Sequence, residues 1–383
     1  MKTLALLSFL LVVCHDAVSR VSCDPGLTGS AVRLSPPGLS TASTTDSIDV
    51  KMLQKAQDLA HRISVIDCHS HNLFQPESEA RPKQADFSML QGAGVNGVVQ
   101  FVPLNASGVK NPTDDILRDI KEIRQRIRDD GLKVSVVLNS REMATSCKSD
   151  SSVVLIGLEY FKGIFDGDIG QVRRYYDAGV REIGLVRRGG SDSLFVDQNL
   201  TGFGVALVRE LNRLGIICDI THMPESAQQQ VIDVSDSPVI LSHTAAFGLV
   251  KSEFNATDAT LRRLAARGGM IGIGFFSGQL SNSSLAESGR GVAWDKLSRA
   301  KVEDLVDQID YLRKIVGIDA IGIGSDYGGS GRRAPEGLET IEGFPLIIYH
   351  MLKRGYTENE IEKVMGVNFI RFFERVEKKT TLK

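Results

Sequence analysis

Ser64-Val65-Ile66-Asp67-Cys68-His69-Ser70-His71-Asn72 is the stretch that decides how this chain is read. An apolar-leaning run leads into an acid and then into His-x-His. Side chains at i and i+2 of a strand face the same way. His69 and His71 therefore project together from the end of a buried strand, as two ligands of one metal do. A lone histidine in such a place is more often simply hydrogen-bonded, so the pair takes its meaning from what the rest of the chain adds.

Working outward, seven further apolar runs resemble Ser64–Cys68: Gly97–Pro103, Val153–Leu158, Glu182–Val186, Ile216–Ile220, Val239–Leu241, Met270–Phe275 and Ile321–Gly324. One more, Lys133–Leu138, reads as an inserted or peripheral strand. Helical periodicity fills the intervals. Asp114–Asp130 aligns Ile116, Leu117, Ile120, Ile123 and Ile127, Val205–Leu214 aligns Leu207, Leu211 and Leu214, and Glu303–Val316 aligns Leu305, Ile309, Leu312 and Val316. Gly131, Gly215 and Gly317 stop these three stripes, and Thr357 with Glu360 forms a capping box at the last helix. Eight strands alternating with helices predict a parallel sheet, and over residues 48–383 a closed (β/α)8 barrel. A doubly wound open sheet is the alternative.

In such a barrel, chemistry belongs at the C-terminal ends of the strands. The polar residues at those ends are His69 and His71, Glu159, His222, His243 and Asp326. Of the seven histidines, His15 falls in the N-terminal leader and four others lie at these ends. The remaining two, His61 and His350, sit in helical patterns and read as structural. Imidazole with carboxylate suits Zn²⁺. Four histidines and two carboxylates exceed the ligand set of one zinc and predict two ions about 3.5–4 Å apart. Glu159 is the natural bridge, because its strand lies between the two histidine groups. Such metals make hydroxide available at neutral pH, with Asp326 as general base and also a ligand. The chemistry expected is metal-assisted hydrolysis of an amide or ester.

The rest of the chain sets the context. Residues 1–19 read as a secretory signal: Lys2 precedes the apolar run Leu4–Val13, which is too short for a membrane span, and Ala17-Val18-Ser19 offers a cleavage site. Lipid anchoring at Cys14 or Cys23 is the weaker reading, since neither sits in a good lipobox. Residues 20–47, rich in Ser, Thr, Gly and Pro, read as a flexible tether. Export as a soluble periplasmic, secreted or cell-surface protein follows as the expectation. A net charge of −2 gives no basic footprint for nucleic acid. Five cysteines show no framework spacing, and Cys68 and Cys218 read as small buried hydrophobes. Asn105, Asn199, Asn255 and Asn282 open glycosylation sequons, which matter only in a host that glycosylates.

Several motifs together resemble the membrane (renal) dipeptidase family of binuclear zinc peptidases. They are Val65-Ile66-Asp67-Cys68-His69, Ile156-Gly157-Leu158-Glu159, Glu210-Leu211-Asn212-Arg213-Leu214-Gly215 with Asp219-Ile220-Thr221-His222, Pro238-Val239-Ile240-Leu241-Ser242-His243-Thr244, and Gly322-Ile323-Gly324-Ser325-Asp326-Tyr327 with Pro335-Glu336-Gly337-Leu338-Glu339. The resemblance spans Ser64 to Glu377. It implies a (β/α)8 fold and hydrolysis of a small peptide. It also implies that His69 and Glu159 bind one zinc, that Glu159, His222 and His243 bind the other, and that Asp326 stands at the catalytic water. It further implies a homodimer.

Three departures bear on specificity. His71 stands where the family has Asp, which removes one negative charge from the ligand set. Arg187 stands where the family uses His to stabilise the tetrahedral intermediate; it can polarise a carbonyl but cannot shuttle protons. Phe254 replaces the arginine that holds the substrate carboxylate, with Lys251 or Arg187 as stand-ins. Arg187, Phe254 and Tyr327 are the expected substrate contacts. Two other readings remain: an amidohydrolase acting on an acyl-amino acid, amide or lactone without a free carboxylate, and a metal-bound, non-catalytic binder of peptide or cell-wall fragments.

Overall fold

The computed structural model describes residues 48–74, 83–102, 112–129, 133–147, 151–159, 164–165, 167–186, 194–292, 296, 298–329 and 333–380. The expected leader and tether at 1–47, Asn105 and Arg187 lie outside the described residues.

Eleven strands form in chain order: β1 Ile66–Ser70, β2 Gly97–Phe101, β3 Val134–Val136, β4 Ser152–Glu159, β5 Val180–Gly184, β6 Phe195–Val196, β7 Asn199–Leu200, β8 Ile217–Asp219, β9 Ile240–Thr244, β10 Met270–Ile273 and β11 Ile321–Ile323. The main sheet runs β2-β1-β11-β10-β9-β8-β5-β4-β3, and β2 also pairs with β4. That pairing, in register from Gly97 opposite Val153 to Phe101 opposite Gly157, closes an eight-stranded ring in which every neighbour is parallel. The open-sheet alternative is thereby excluded. β3 pairs with Ser152–Val154, while β5 takes the same strand from Ile156 onward. β2 occupies the other edge of β4, so β3 is the peripheral strand that the sequence suggested. β6 and β7 make a short antiparallel hairpin outside the ring.

The eight ring strands are buried along their whole length. Strands walled by helices outside and by side chains inside have no solvent face, which is why they read as near-continuous apolar runs rather than alternating ones. The outer helices carry their own stop and start signals. Thr201 caps Gly202–Leu214 through the Gly204 amide, and Thr357 and Glu360 make the expected reciprocal capping box. Below that box the chain passes through a π-helical turn, Lys363–Val367, into Asn368–Glu377. Cys68, Cys147 and Cys218 are buried free thiols. The Asn255 sequon is unavailable for modification in the folded chain: its amide is buried and donates to the carbonyls of Val250 and Gln279.

The barrel axis is narrow where β10 and β11 pass β9. A Cβ placed on Gly272 or on Gly324 would collide with the Ser242 carbonyl and press on the Cys68 sulfur. Because the obstacle is backbone, it cannot rotate aside. Gly324→Ala should therefore lower stability by about 1–3 kcal/mol or more, read from the urea midpoint. An unchanged midpoint would contradict this packing.

Candidate metal centre

The C-terminal ends of β1, β4, β8, β9 and β11 converge at one end of the barrel, and each brings a ligand-type side chain. His69 lies within β1, and His71 lies one residue beyond it. Glu159 ends β4, His243 lies within β9, and His222 and Asp326 follow β8 and β11. All six residues named from the sequence come together. His69, His71, Glu159 and His243 are buried, whereas the Asp326 side chain retains 19% of its exposure.

His69 Nε2 lies 3.1 Å from His71 Nε2, and His243 Nε2 lies 2.8 Å from His222 Nε2. Between the two pairs sits the Glu159 carboxylate. Its Oε1 is 3.8 Å from His69 and 3.9 Å from His222, and its Oε2 is 3.7 Å from His71. Asp326 Oδ1 approaches the first pair, at 3.9 Å from His69 and 3.6 Å from His71. Donor atoms of His69, Glu159 and His243 lie within 4.8 Å of one another, as do those of His69, His71 and Asp326. His69 belongs to both sets, so the donors form one continuous basin with His69 and Glu159 at its middle. Two ligands on a tetrahedral ion with bonds of about 2.0–2.1 Å lie about 3.3 Å apart. The observed 2.8–3.9 Å spacings bracket that edge.

What turns these imidazoles toward the basin is a residue the sequence reading did not single out. Ser242 Oγ donates to Asp219 Oδ2 at 2.6 Å. The same oxygen lies 3.0 Å from His69 Nδ1 and 2.8 Å from His243 Nδ1. A hydroxyl carries one proton, and with that proton committed to Asp219 the oxygen can only accept. Both histidines must then carry hydrogen on Nδ1, which leaves bare lone pairs on both Nε2 atoms facing each other's neighbours and a carboxylate. Burial, with His222 and His71 nearby, also holds the His243 pKa well below 6.5. A basin of neutral imidazole lone pairs and acceptor-only carboxylates fits a cation. Phe101 closes its floor, with its ring centroid 3.9 Å from that of His69.

Asp219 is fixed in turn by Thr221, whose amide and hydroxyl both donate to Oδ1 at 3.0 and 2.6 Å, and by the Ser242 amide. A parallel clamp joins β1 to β11. Asp67 accepts the Ser325 amide at 2.8 Å and its hydroxyl at 2.6 Å. The Asp326 amide donates to the His69 carbonyl at 2.9 Å, and the His71 amide to the Tyr327 carbonyl at 2.7 Å. Burial pushes Asp67 up to about 7 against these hydrogen bonds. The signals for both clamps were present as Asp-x-x-His at Asp219–His222, Ser-His at 242–243 and Ser-Asp at 325–326.

Two ligand-type residues adopt left-handed backbone, His222 at φ 67° and Asp326 at φ 56°. For a residue with a Cβ this conformation costs about 1 kcal/mol or more and clusters at functional sites. Close behind Asp326, a Cβ on Gly329 would meet its carboxylate, so a side chain at 329 would displace that carboxylate from this position.

The expected substrate contacts divide. Phe254 is half-buried, with its ring 5.7 Å from that of Phe276 and its carbonyl accepting from Thr244 Oγ1 at 3.1 Å. Tyr327 is a correction: its side chain is fully buried between Phe275 and Phe344, and its hydroxyl donates to the Leu338 carbonyl at 2.8 Å. Only its backbone reaches the site, by holding His71. Lys251 is exposed, with its ammonium 5.0 Å from the Phe247 ring. His61 and His350 stand away from the basin, at the end of one outer helix and inside another.

Glu182 on β5 went unremarked in the sequence. It is fully buried, and neither oxygen has a hydrogen-bond partner. Burial, then the neighbouring Asp219, raise its pKa well above 4.5.

A family model described as membrane dipeptidase, peptidase family M19, matches residues 53–382. The imidazole and carboxylate basin at the C-terminal mouth of the barrel defines the class, a (β/α)8 protein of the metal-dependent kind. Within that class, the chain belongs to the membrane dipeptidase family M19. It is 31% identical over 252 residues to Dipeptidase 3 of Macaca fascicularis, covering 62% of this chain and 48% of that protein. Dipeptidase 3 of Homo sapiens gives the same identity and the same coverage, 62% and 48%. The chain thus spans about half the length of the curated relatives it matches. Among solved structures, an amidohydrolase from Pseudomonas aeruginosa superposes with a TM-score of 0.69 at 25% identity, over 84% of this chain and 98% of that one. A metallo peptidase from Rhodobacter sphaeroides, liganded with a phosphinate mimic of the dipeptide L-Ala-D-Ala, shares the fold with a TM-score of 0.69 at 21% identity, over 82% and 99%.

Two measurements check this account of the site. Ser242→Ala releases both Nδ1 groups and should weaken metal binding by about 10–100-fold in competition with a chelator; an unchanged affinity would contradict the clamp. Glu182 tests the core below it. Unfolded, its carboxyl ionises near pH 4.5, whereas folded its pKa is raised well above that by burial and then by Asp219, so stability falls as pH rises above the unfolded value. Glu182→Gln should therefore match the wild type near pH 5 and exceed it at pH 8, the gap widening by up to about 1.4 kcal/mol per pH unit. A constant gap would contradict the raised pKa.

Proposed function

We propose that the chain is an exported, metal-dependent hydrolase that cleaves the amide bond of a dipeptide. The observation that carries the reading is the position of the Glu159 carboxylate, which offers one oxygen to His69 and His222 and the other to His71. On this reading, His69, His71, Glu159 and Asp326 hold one Zn²⁺, and Glu159, His222 and His243 hold a second. When bound, such a pair supplies Lewis acidity and lowers the pKa of water from 15.7 to about 7.

The chain's own residues then have distinct tasks. Ser242 and Asp219 keep protons off the Nε2 atoms of His69 and His243. Asp326, the most exposed acid of the basin, accepts at Oδ1 the proton that the attacking water loses, then returns it to the leaving amine. Its left-handed backbone sets the direction of that carboxylate, and the bare Gly329 leaves it room. Phe101 and the buried walls exclude bulk water, which strengthens each electrostatic contact. Arg187 is proposed to polarise the scissile carbonyl, a role that guanidinium can fill by hydrogen bonding alone. Phe254 is proposed as an apolar wall of the substrate site.

Export rests on the apolar run Leu4–Val13 after Lys2. Among the described residues, no helix is long and apolar enough to cross a membrane. A homodimer is proposed from the family alone.

The test is hydrolysis of a dipeptide panel by the zinc-loaded protein, before and after chelation. Cleavage should stop on chelation and return with zinc, and Asp326→Asn should lower kcat by about 10²–10⁴-fold. Turnover indifferent to both treatments would contradict the mechanism. Cleavage confined to N-acyl amino acids, amides or lactones would replace the dipeptide with those substrates. No turnover on any of them would make the chain a metal-bound binder.

A further inference from the structure

Beyond β11 the chain enters a tight turn that carries Asp326, and each main-chain N–H of that turn needs an acceptor. The Asp326 amide donates to the His69 carbonyl at 2.9 Å, and the Gly329 amide closes the turn on the Asp326 carbonyl at 3.0 Å. The Tyr327 amide donates to Ser325 Oγ at 3.1 Å. These bonds stay within β1 and the turn's own segment. Gly328, at φ 87°, fills the third position of the turn, where left-handed backbone favours glycine. The bond that closes the turn does not use the Gly328 amide, so its acceptor has to come from another part of the chain.

Gln84 supplies it. Its Oε1 accepts the Gly328 amide at 2.9 Å, and its Nε2 donates to the Glu339 carbonyl at 3.4 Å. Those partners settle which way the side-chain amide faces, since a main-chain N–H can meet only the oxygen and a carbonyl only the nitrogen. The main chain of Gln84 is held too. Its carbonyl accepts the Ile341 amide at 2.8 Å, and its amide donates to Asn72 Oδ1 at 2.6 Å. The same Asn72 oxygen accepts the Ala85 amide at 2.9 Å. Asn72 directly follows His71, whose own amide donates to the Tyr327 carbonyl at 2.7 Å. The links therefore close a ring: His71 to Tyr327, along the chain to Gly328, across to Gln84, on to Asn72, and back to His71. Asn72 and Gln84 are buried, which shields these bonds from competing water.

We propose that Gln84 is a positioning residue: by accepting the Gly328 amide while tied to Asn72, it fixes the Asp326 turn against the segment that carries His71. The two side chains so aligned meet in the basin, with Asp326 Oδ1 3.6 Å from His71 Nε2. Gln84 acts through the main chain on either side of them. Without its oxygen the Gly328 amide loses its acceptor, the ring opens, and the carboxylate shifts relative to the imidazole. Misplacement of a catalytic group by about 1 Å costs up to about 100-fold in rate. The kinetic part of this inference rests on the dipeptidase reading; the hydrogen-bond ring does not.

The experiment compares the zinc-loaded wild type with Gln84→Met, which removes both side-chain hydrogen bonds at similar volume, and Gln84→Glu, which keeps an oxygen opposite Gly328. Hydrogen–deuterium exchange is read at the Gly328 amide, alongside steady-state cleavage of a dipeptide and zinc affinity in competition with a chelator. The wild-type amide should be protected, and an unprotected one would overturn the proposal whether or not the variants fold. Gln84→Met should speed exchange at Gly328 by about tenfold and lower kcat by about 10–100-fold with KM within about twofold. Zinc affinity should fall by about tenfold, and Gln84→Glu should recover part of each loss. Unchanged exchange in Gln84→Met, lost protection with unchanged kcat, or equal losses in both variants would overturn the assignment. If the wild type cleaves no dipeptide, the dipeptidase reading falls and zinc affinity decides for Gln84: a loss in Gln84→Met that Gln84→Glu restores supports the positioning role, and an unchanged affinity overturns it.

Discussion

One hydroxyl proton organises the mouth of this barrel. Ser242 gives it to Asp219, so the Ser242 oxygen can only accept from His69 on one side and His243 on the other. Those two imidazoles come from strands separated by two others around the ring, yet a single side chain sets the tautomer of both. Everything that makes the basin suited to a cation follows: lone pairs on Nε2, neutral rings, and an acceptor-only carboxylate between them. An outer layer that orients metal-binding histidines is a general device. Here that layer is unusually economical, since Asp219 is itself locked by Thr221 and by the Ser242 amide.

The cost of this arrangement is distributed through the barrel. Acidic groups lie buried at the ring's interior, Asp67 and Asp219 hydrogen-bonded and Glu182 without a partner. His222 and Asp326 are held in left-handed backbone. Two glycines let β10 and β11 pass the Ser242 carbonyl closely enough for the ring to close. Large apolar strands and tightly packed helices around the ring supply the stability that such features consume, and local strain at a functional mouth is where it is expected.

Much of this was legible in the sequence, for definable reasons. The eight ring strands were found because strands buried on both sides are continuous apolar runs, and the additional run Lys133–Leu138, read as inserted or peripheral, holds the peripheral β3. The six basin residues were found because strand ends in a barrel converge by construction. The roles of Ser242 and Asp219 were not read, although both lie in quoted motifs, because a hydroxyl between two histidines from different strands is a three-dimensional fact. Tyr327 was misjudged for the opposite reason. It follows Asp326 directly, but the left-handed turn at Asp326 sends its ring into the core. The leader, the tether and Arg187 lie outside the described residues.

The central claim is that these donors form a centre for two ions, and the most direct measurement is elemental analysis of the protein after zinc loading and exhaustive dialysis. The account predicts about two zinc ions per chain, falling to about one when His222 and His243 are both replaced by alanine while the fold persists. A single ion in the wild type, or a content indifferent to those replacements, would contradict it.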